Sequence, residues 1–156
     1  MSYVFDTSSF RVLKSFYPSR FPSLWENIDK LIASGTLISV PEVFNELDSY
    51  VDVDVIRKWI KENKEIFFTP SNEELAVVAE ILRVPHFQAL ISKKNILTGK
   101  PVADPFVIAA AKVKNACVVT EESNKPNAAK IPNVCAHFEV ECINLETFMD
   151  QQRWTF

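Results

Sequence analysis

Short apolar runs rich in β-branched and aromatic residues alternate along the chain with segments of helical periodicity, and that alternation leaves few architectures open. Tyr3–Phe5, Leu37–Val40, Cys117–Thr120 and Glu141–Asn144 read as strands, and the first is apolar throughout, as a strand buried on both faces is. Helical spacing runs through Leu24 to Ile32, Asp54 to Glu62, Leu75 to Arg83, the segment opened by Asp104, and Leu145 to Arg153. A strand, helix, strand unit is parallel and right-handed by default. The expected fold is therefore α/β: a three-layer α/β/α sandwich around a central, mostly parallel sheet of four to five strands. Ile66–Thr69 fits either an edge strand or an extended connector.

Local signals place the boundaries. Phe10 to Tyr17 suits a short amphipathic helix ending before Pro18. Ser23 with Glu26, Ser39 with Glu42 and Ser71 with Glu74 each have the S-x-x-E spacing of a capping box, in which the two side chains satisfy each other's end of the helix. Gly35 should stop the helix before the second strand. Pro85 to Ile91 reads as a further short helix, leading into a polar loop of Lys93, Lys94, Asn95, Gly99 and Lys100.

A chain of 156 residues with 47% hydrophobic content is about the size of one domain, and a single domain over 1–156 is expected. No basic flank precedes a long apolar run and no stretch of about 18 apolar residues occurs, so neither a signal peptide nor a membrane span is expected and the protein should be cytoplasmic. The odd number of cysteines, Cys117, Cys135 and Cys142, lacks metal-ligand spacing and fits reduced core thiols. A net charge of -3 opposes strong nonspecific adhesion to nucleic acid. It leaves room for a local basic rim, for which Arg11, Lys14, Arg20, Lys93, Lys94, Lys100, Lys125 and Lys130 are available.

The chemistry-bearing residues are acids at element ends. Asp6 ends the first strand, Glu122 follows the third, Glu46 lies one turn beyond Glu42 on the same helix face, and Asp104 opens an alanine-rich helix with Pro105. Each has a local alternative: Asp6 and Asp104 as helix caps, Glu46 as an exposed helix glutamate. In open α/β sheets, however, the binding crevice lies outside the carboxyl ends of the strands, where all four could meet. Two like charges about 4 Å apart repel by roughly 4 kcal/mol at an effective dielectric of 20. A hard divalent cation is the usual compensation, and carboxylates without Cys or His suit Mg²⁺ or Mn²⁺. His86 and His137, which an acid–base ribonuclease would need as a pair, read as structural.

The strand Tyr3 to Asp6 with Thr7 and Ser8, the helix Pro41 to Leu47 bearing Glu46, Asp104 before its alanines, and Thr120 to Glu122 after a strand together resemble the PIN domains, small metal-dependent nucleases that include the ribonuclease toxins of bacterial toxin–antitoxin pairs. Ile131 to Cys135 is similar to an uncharacterised PIN-like branch. The resemblance implies that Asp6, Glu46, Asp104 and Glu122 are the acidic metal-binding and catalytic set, with Ser8 as a hydroxyl partner. The fourth family acid is usually Asp, and Glu121 stands beside Glu122. The implied activity is hydrolysis of single-stranded RNA to a 5′-phosphate and a 3′-hydroxyl by water activated at one or two divalent ions. Ser8, Arg11, Lys14, Lys100 and Lys125 are the corresponding substrate-binding candidates, a cognate antitoxin is the implied partner, and a homodimer is compatible with the family.

Other strand-Asp enzymes fit less well. A haloacid dehalogenase phosphatase needs a second Asp where Ser8 stands, and a receiver domain needs an acidic pair and a late Lys that the chain lacks. The serious rival is a PIN-like scaffold that binds RNA or a protein without useful turnover.

Overall fold

The first strand, β1 (Tyr3–Phe5), is fully buried and forms the middle of a parallel sheet ordered β2-β1-β3-β4, with β2 at Leu37–Ile38, β3 at Cys117–Val119 and β4 at Cys142–Ile143. The computed structural model describes residues 1–49, 54–91 and 102–156. Register pairs Val4 with Ile38 on one side and with Val118 on the other, and Val118 with Cys142. Ser39 adds an isolated parallel bridge to Phe67. That bridge, preceded by a 3₁₀ turn at Lys64–Ile66, is all the sheet structure that forms in the ambiguous run Ile66–Thr69.

Between β1 and β2 lie α1 (Thr7–Leu13) and α2 (Pro22–Ala33); α3 (Pro41–Ser49), α4 (Asp54–Glu62) and α5 (Asn72–Arg83) follow, then a 3₁₀ helix at Pro85–Leu90. The helix α6 (Asp104–Lys114) leads into β3, α7 (Ile131–His137) into β4, and α8 (Leu145–Gln151) closes the described chain. Tyr3 and Phe5, two residues apart and so on one face of the sheet, meet Phe148 of α8 edge-on at 4.9 and 5.0 Å. Phe5 also meets Phe10 of α1 at 5.4 Å. The opposite face, towards which Val4 points, is covered by α6, which packs on β1 and β3 and along α5. Ala109, Ala110 and Ala111 are all buried there, and their small side chains let the helix approach closely.

Several boundaries differ from expectation for identifiable reasons. The helix expected over Phe10–Tyr17 starts earlier, at Thr7, directly after Asp6. Pro22 takes the first position of α2, which makes Phe21 its cap and leaves Ser23 inside the helix. The Ser39 hydroxyl donates to the Phe5 carbonyl at 2.7 Å, tying β2's end to β1, so it does not serve α3. Only Ser71 caps as expected, accepting from the Glu74 N–H at 3.1 Å. The Glu74 carboxylate, 2% exposed, turns instead to Lys114 at 2.6 Å and links α5 to α6. Gly35 ends α2 with a positive φ of 72°, and the Thr36 N–H reaches back to the Leu31 carbonyl. The helix α7 carries no strong periodic signal in seven residues, and the sequence does not single it out.

The cysteines are free, with Cys117 and Cys135 buried and Cys142 half-buried at the sheet edge. Burial, followed by the charges of Glu141 and Cys142, pushes the Cys117 thiol up to about 12. His137 packs edge-on against Phe87 at 5.1 Å within an aromatic cluster, in keeping with a structural role. Among the described residues no helix is long and apolar enough to cross a membrane.

The close approach of α6 predicts that Ala110→Leu costs about 1–3 kcal/mol by overpacking, lowering Tm by about 3–10 °C. Val113→Leu, at a position 39% exposed on the same helix, should shift stability by less than about 0.5 kcal/mol. Thermal or urea unfolding of the two variants compares them directly.

Candidate active site

Parallel pairing sets the site. Because β1 and β3 run the same way and in register, Asp6 and Thr120 leave the sheet side by side, with the Asp6 N–H donating to the Val119 carbonyl at 3.0 Å. Asp6 is 3% exposed. Its Oδ2 accepts from the Ser8 hydroxyl at 2.8 Å and from the Thr120 hydroxyl at 2.9 Å. Burial raises the Asp6 pKa, and these hydroxyl bonds partly offset it.

Glu46 comes to the same edge from α3. Its Oε1 accepts from the Thr7 hydroxyl and its Oε2 from the Ala103 N–H, both at 2.9 Å. One carboxylate thus ties the residue after Asp6 to the residue before Asp104. Burial is the main cause of its raised pKa, with Asp6 and Glu122 adding repulsion. Asp104 is the first helical residue of α6, with Ala103 as the cap, so its carboxylate is not consumed in capping. Burial and then Asp6, Glu122 and Glu46 push its pKa up to about 8, while Lys130 pulls the other way.

Glu122 completes the cluster. Its Oε2 accepts from the Ile131 N–H at 2.9 Å and its own N–H donates to the Thr120 hydroxyl at 3.2 Å. Glu121, the neighbour open to confusion with it, is exposed and points away: its Oε1 accepts from the Leu145 N–H at the start of α8. The four expected acids therefore lie within electrostatic reach of one another, drawn from β1, α3, α6 and the segment after β3.

The basic candidates are less concentrated. Arg11 and Lys14 stand at the C-terminal end of α1, Lys14 about 10 Å along the helix axis from Thr7. Lys125 is exposed, and its carbonyl accepts from the Asn133 side chain at 2.7 Å. Lys100, with Lys93 and Lys94, lies outside the described residues. Sequence reasoning passed over Thr7 and Thr120 as hydrogen-bond donors to the acids. Both are buried hydroxyls adjoining the end of a strand, and a hydroxyl immediately after or opposite a strand-end Asp is the signal that could have found them.

A hard cation suits this donor set: carboxylate oxygens raise one another's pKa, and among the described residues no cation is a cause acting on Asp6 or Glu46. Among the described residues, no three His, Cys, Asp or Glu side chains stand close enough together to clasp one ion as they lie. Glu46 and Glu122 are each held by a backbone N–H on opposite walls of the crevice, and carboxylate oxygens so engaged keep a second lone pair for a ligand.

Residues 3–156 match the family model described as "Domain of unknown function (DUF4411)". No curated protein matches the sequence. Among solved structures, a chain of VapBC2 from Rickettsia felis, crystallised bound to a DNA fragment from their promoter, is similar with a TM-score of 0.54 and 16% identity, over 92% of this chain and 98% of that one. A chain of PAE2754 from Pyrobaculum aerophilum is similar with a TM-score of 0.48 and 18% identity, over 97% and 96% respectively. The likeness to the VapBC2 chain bears out the PIN-like fold.

Acids whose pKa is raised by folding hold protons more tightly folded than unfolded. Their contribution therefore favours folding at low pH and is lost as pH rises from about 4, the unfolded value, through about 8. In EDTA, stability should fall across this window, and Asp104→Asn should make that fall shallower. Urea unfolding at several pH values measures both slopes; parallel slopes would show that Asp104 is not held in this environment.

Proposed function

We propose that the chain, which belongs to the DUF4411 family, is a Mg²⁺- or Mn²⁺-dependent endoribonuclease that hydrolyses single-stranded RNA. The observation that carries this reading is the convergence of Asp6, Glu46, Asp104 and Glu122 from four chain segments on the carboxyl edge of a parallel sheet, with Lys130 the one cation of the described residues among the causes acting on Asp104. Such an arrangement is costly unless its charge has a use.

In this reading the four carboxylates hold the ions, which when bound supply a more acidic water and neutralise charge on the phosphate. The chain's own residues do the rest. Ser8 and Thr120 fix one Asp6 oxygen by hydroxyl bonds. Thr7 and the Ala103 N–H hold the Glu46 carboxylate between α1 and α6. A group so fixed loses little further freedom when the site is filled. No side-chain nucleophile is required.

We further propose a toxin role with a cognate antitoxin that places a basic side chain among Asp6, Glu46 and Asp104, where it would meet uncompensated carboxylates. The likeness to the VapBC2 chain supports the choice of this partner class through fold alone. The rival reading, a scaffold that binds RNA or a protein without turnover, draws support from the engagement of Glu46 and Glu122 with backbone N–H groups.

Cleavage of a mixed single-stranded RNA pool with Mg²⁺, Mn²⁺ or EDTA, beside Asp6→Asn and Asp104→Asn, tests the reading. The parent should cut only with metal, and each variant should lose more than the roughly 10–100-fold typical of a supporting residue. Mn²⁺ should raise the Tm of the parent and leave Asp6→Asn nearly unchanged. Metal-independent cutting, or equal stabilisation of both proteins by Mn²⁺, would count against it; no cutting and no metal binding would favour the scaffold.

A further inference from the structure

Several cations of this structure are committed away from the four acids. Lys114 pairs with Glu74 at 2.6 Å, Lys112 donates to the Phe138 carbonyl at 2.8 Å, and Arg57 and Lys61 stand 3.6 and 3.7 Å from Asp48. Lys130 differs. It is half-buried, and among the described residues its ammonium makes no hydrogen bond or ion pair.

Its main chain is nevertheless firmly placed. Lys130 is the extended residue at the start of α7 (φ −102°, ψ 163°), its carbonyl accepts from the Val134 N–H at 3.0 Å, and the next residue's N–H is bonded to the Glu122 carboxylate at 2.9 Å. The side chain therefore starts from the wall of the acidic crevice. Its charge is felt at Asp104, whose pKa it lowers against the three carboxylates that raise it.

A polyanion approaching four carboxylates needs positive charge that is near the site and not already satisfied. We propose that the Lys130 ammonium is a phosphate-contacting group of the crevice, binding a backbone phosphate of single-stranded RNA; the inference rests on the reading of the site as an RNA-cleaving one. Lys130 fits the task better than Lys125. The latter is exposed on the loop ahead of α7 and is not among the causes acting on Asp6, Glu46 or Asp104.

The test is fluorescence anisotropy of a labelled single-stranded RNA with the full chain. Ca²⁺ is added to balance the carboxylates through oxygen ligation, and salt is varied from about 50 to 200 mM. Parent, Lys130→Gln, Lys130→Arg and Lys125→Gln are compared at matched Tm. Lys130→Gln should bind about tenfold more weakly at low salt, and its slope of log affinity against log salt should be shallower by about 0.7, the loss of one phosphate contact on a single strand. Lys130→Arg should restore both, and Lys125→Gln should change them less. Equal affinity and slope for parent and Lys130→Gln would overturn the inference, as would a parent that binds no RNA. RNA binding that depends on Lys130 without metal-dependent cutting would leave this inference standing and sink the nuclease reading alone.

Discussion

Asp6 is a carboxylate buried at the end of the central strand, and much of the surrounding architecture follows from accommodating it. A buried carboxylate without hydrogen bonds or a counter-charge is among the costliest groups a fold can contain. Here β3 delivers the Thr120 hydroxyl to it, the first turn of α1 delivers Ser8, and among the described residues no basic side chain is a cause acting on it. Hydroxyls satisfy the oxygen without neutralising its charge.

The same pattern repeats outward. Thr7 and the Ala103 N–H hold Glu46, and the Ile131 N–H holds Glu122, so neutral donors position negative groups at each wall. A structural ion-pair network would be built the other way, with Arg or Lys drawn onto each acid, as Lys114 is drawn onto the buried Glu74 at the far end of α6. The molecule contains both solutions. Lys130 falls between the two: near enough to influence Asp104, yet unpaired.

Local sequence signals and tertiary demands compete visibly at the three serines that begin S-x-x-E spacings. Ser71 lies in a segment with no other call on its hydroxyl and caps α5. Ser39 is adjacent to β2, where the Phe5 carbonyl at the end of β1 needs a donor, and the sheet claims it. Ser23 loses its place to Pro22, whose fixed φ suits the first helical position. Glu74 likewise leaves its expected return bond for Lys114, because a buried carboxylate gains more from a cation than from a backbone N–H.

Periodicity and residue type alone determined the α/β class, the parallel sheet, the burial of Tyr3–Phe5 on both faces and the acids standing at element ends, because burial on two faces demands uniformly apolar strands and crossover helices demand an amphipathic repeat. That four acids stand where the carboxyl edge of the sheet could gather them was legible as well, from their position relative to strands and helix starts. Only the tertiary structure decided which of Glu121 and Glu122 faces the crevice, since adjacent residues diverge according to which N–H each can reach, Leu145 for one and Ile131 for the other. It also decided the contacts of Thr7 and Thr120. Their partners lie 39 and 114 positions away in the chain, at Glu46 and Asp6, and contacts at such separations are set by how strands and helices pack rather than by any pattern local to the sequence.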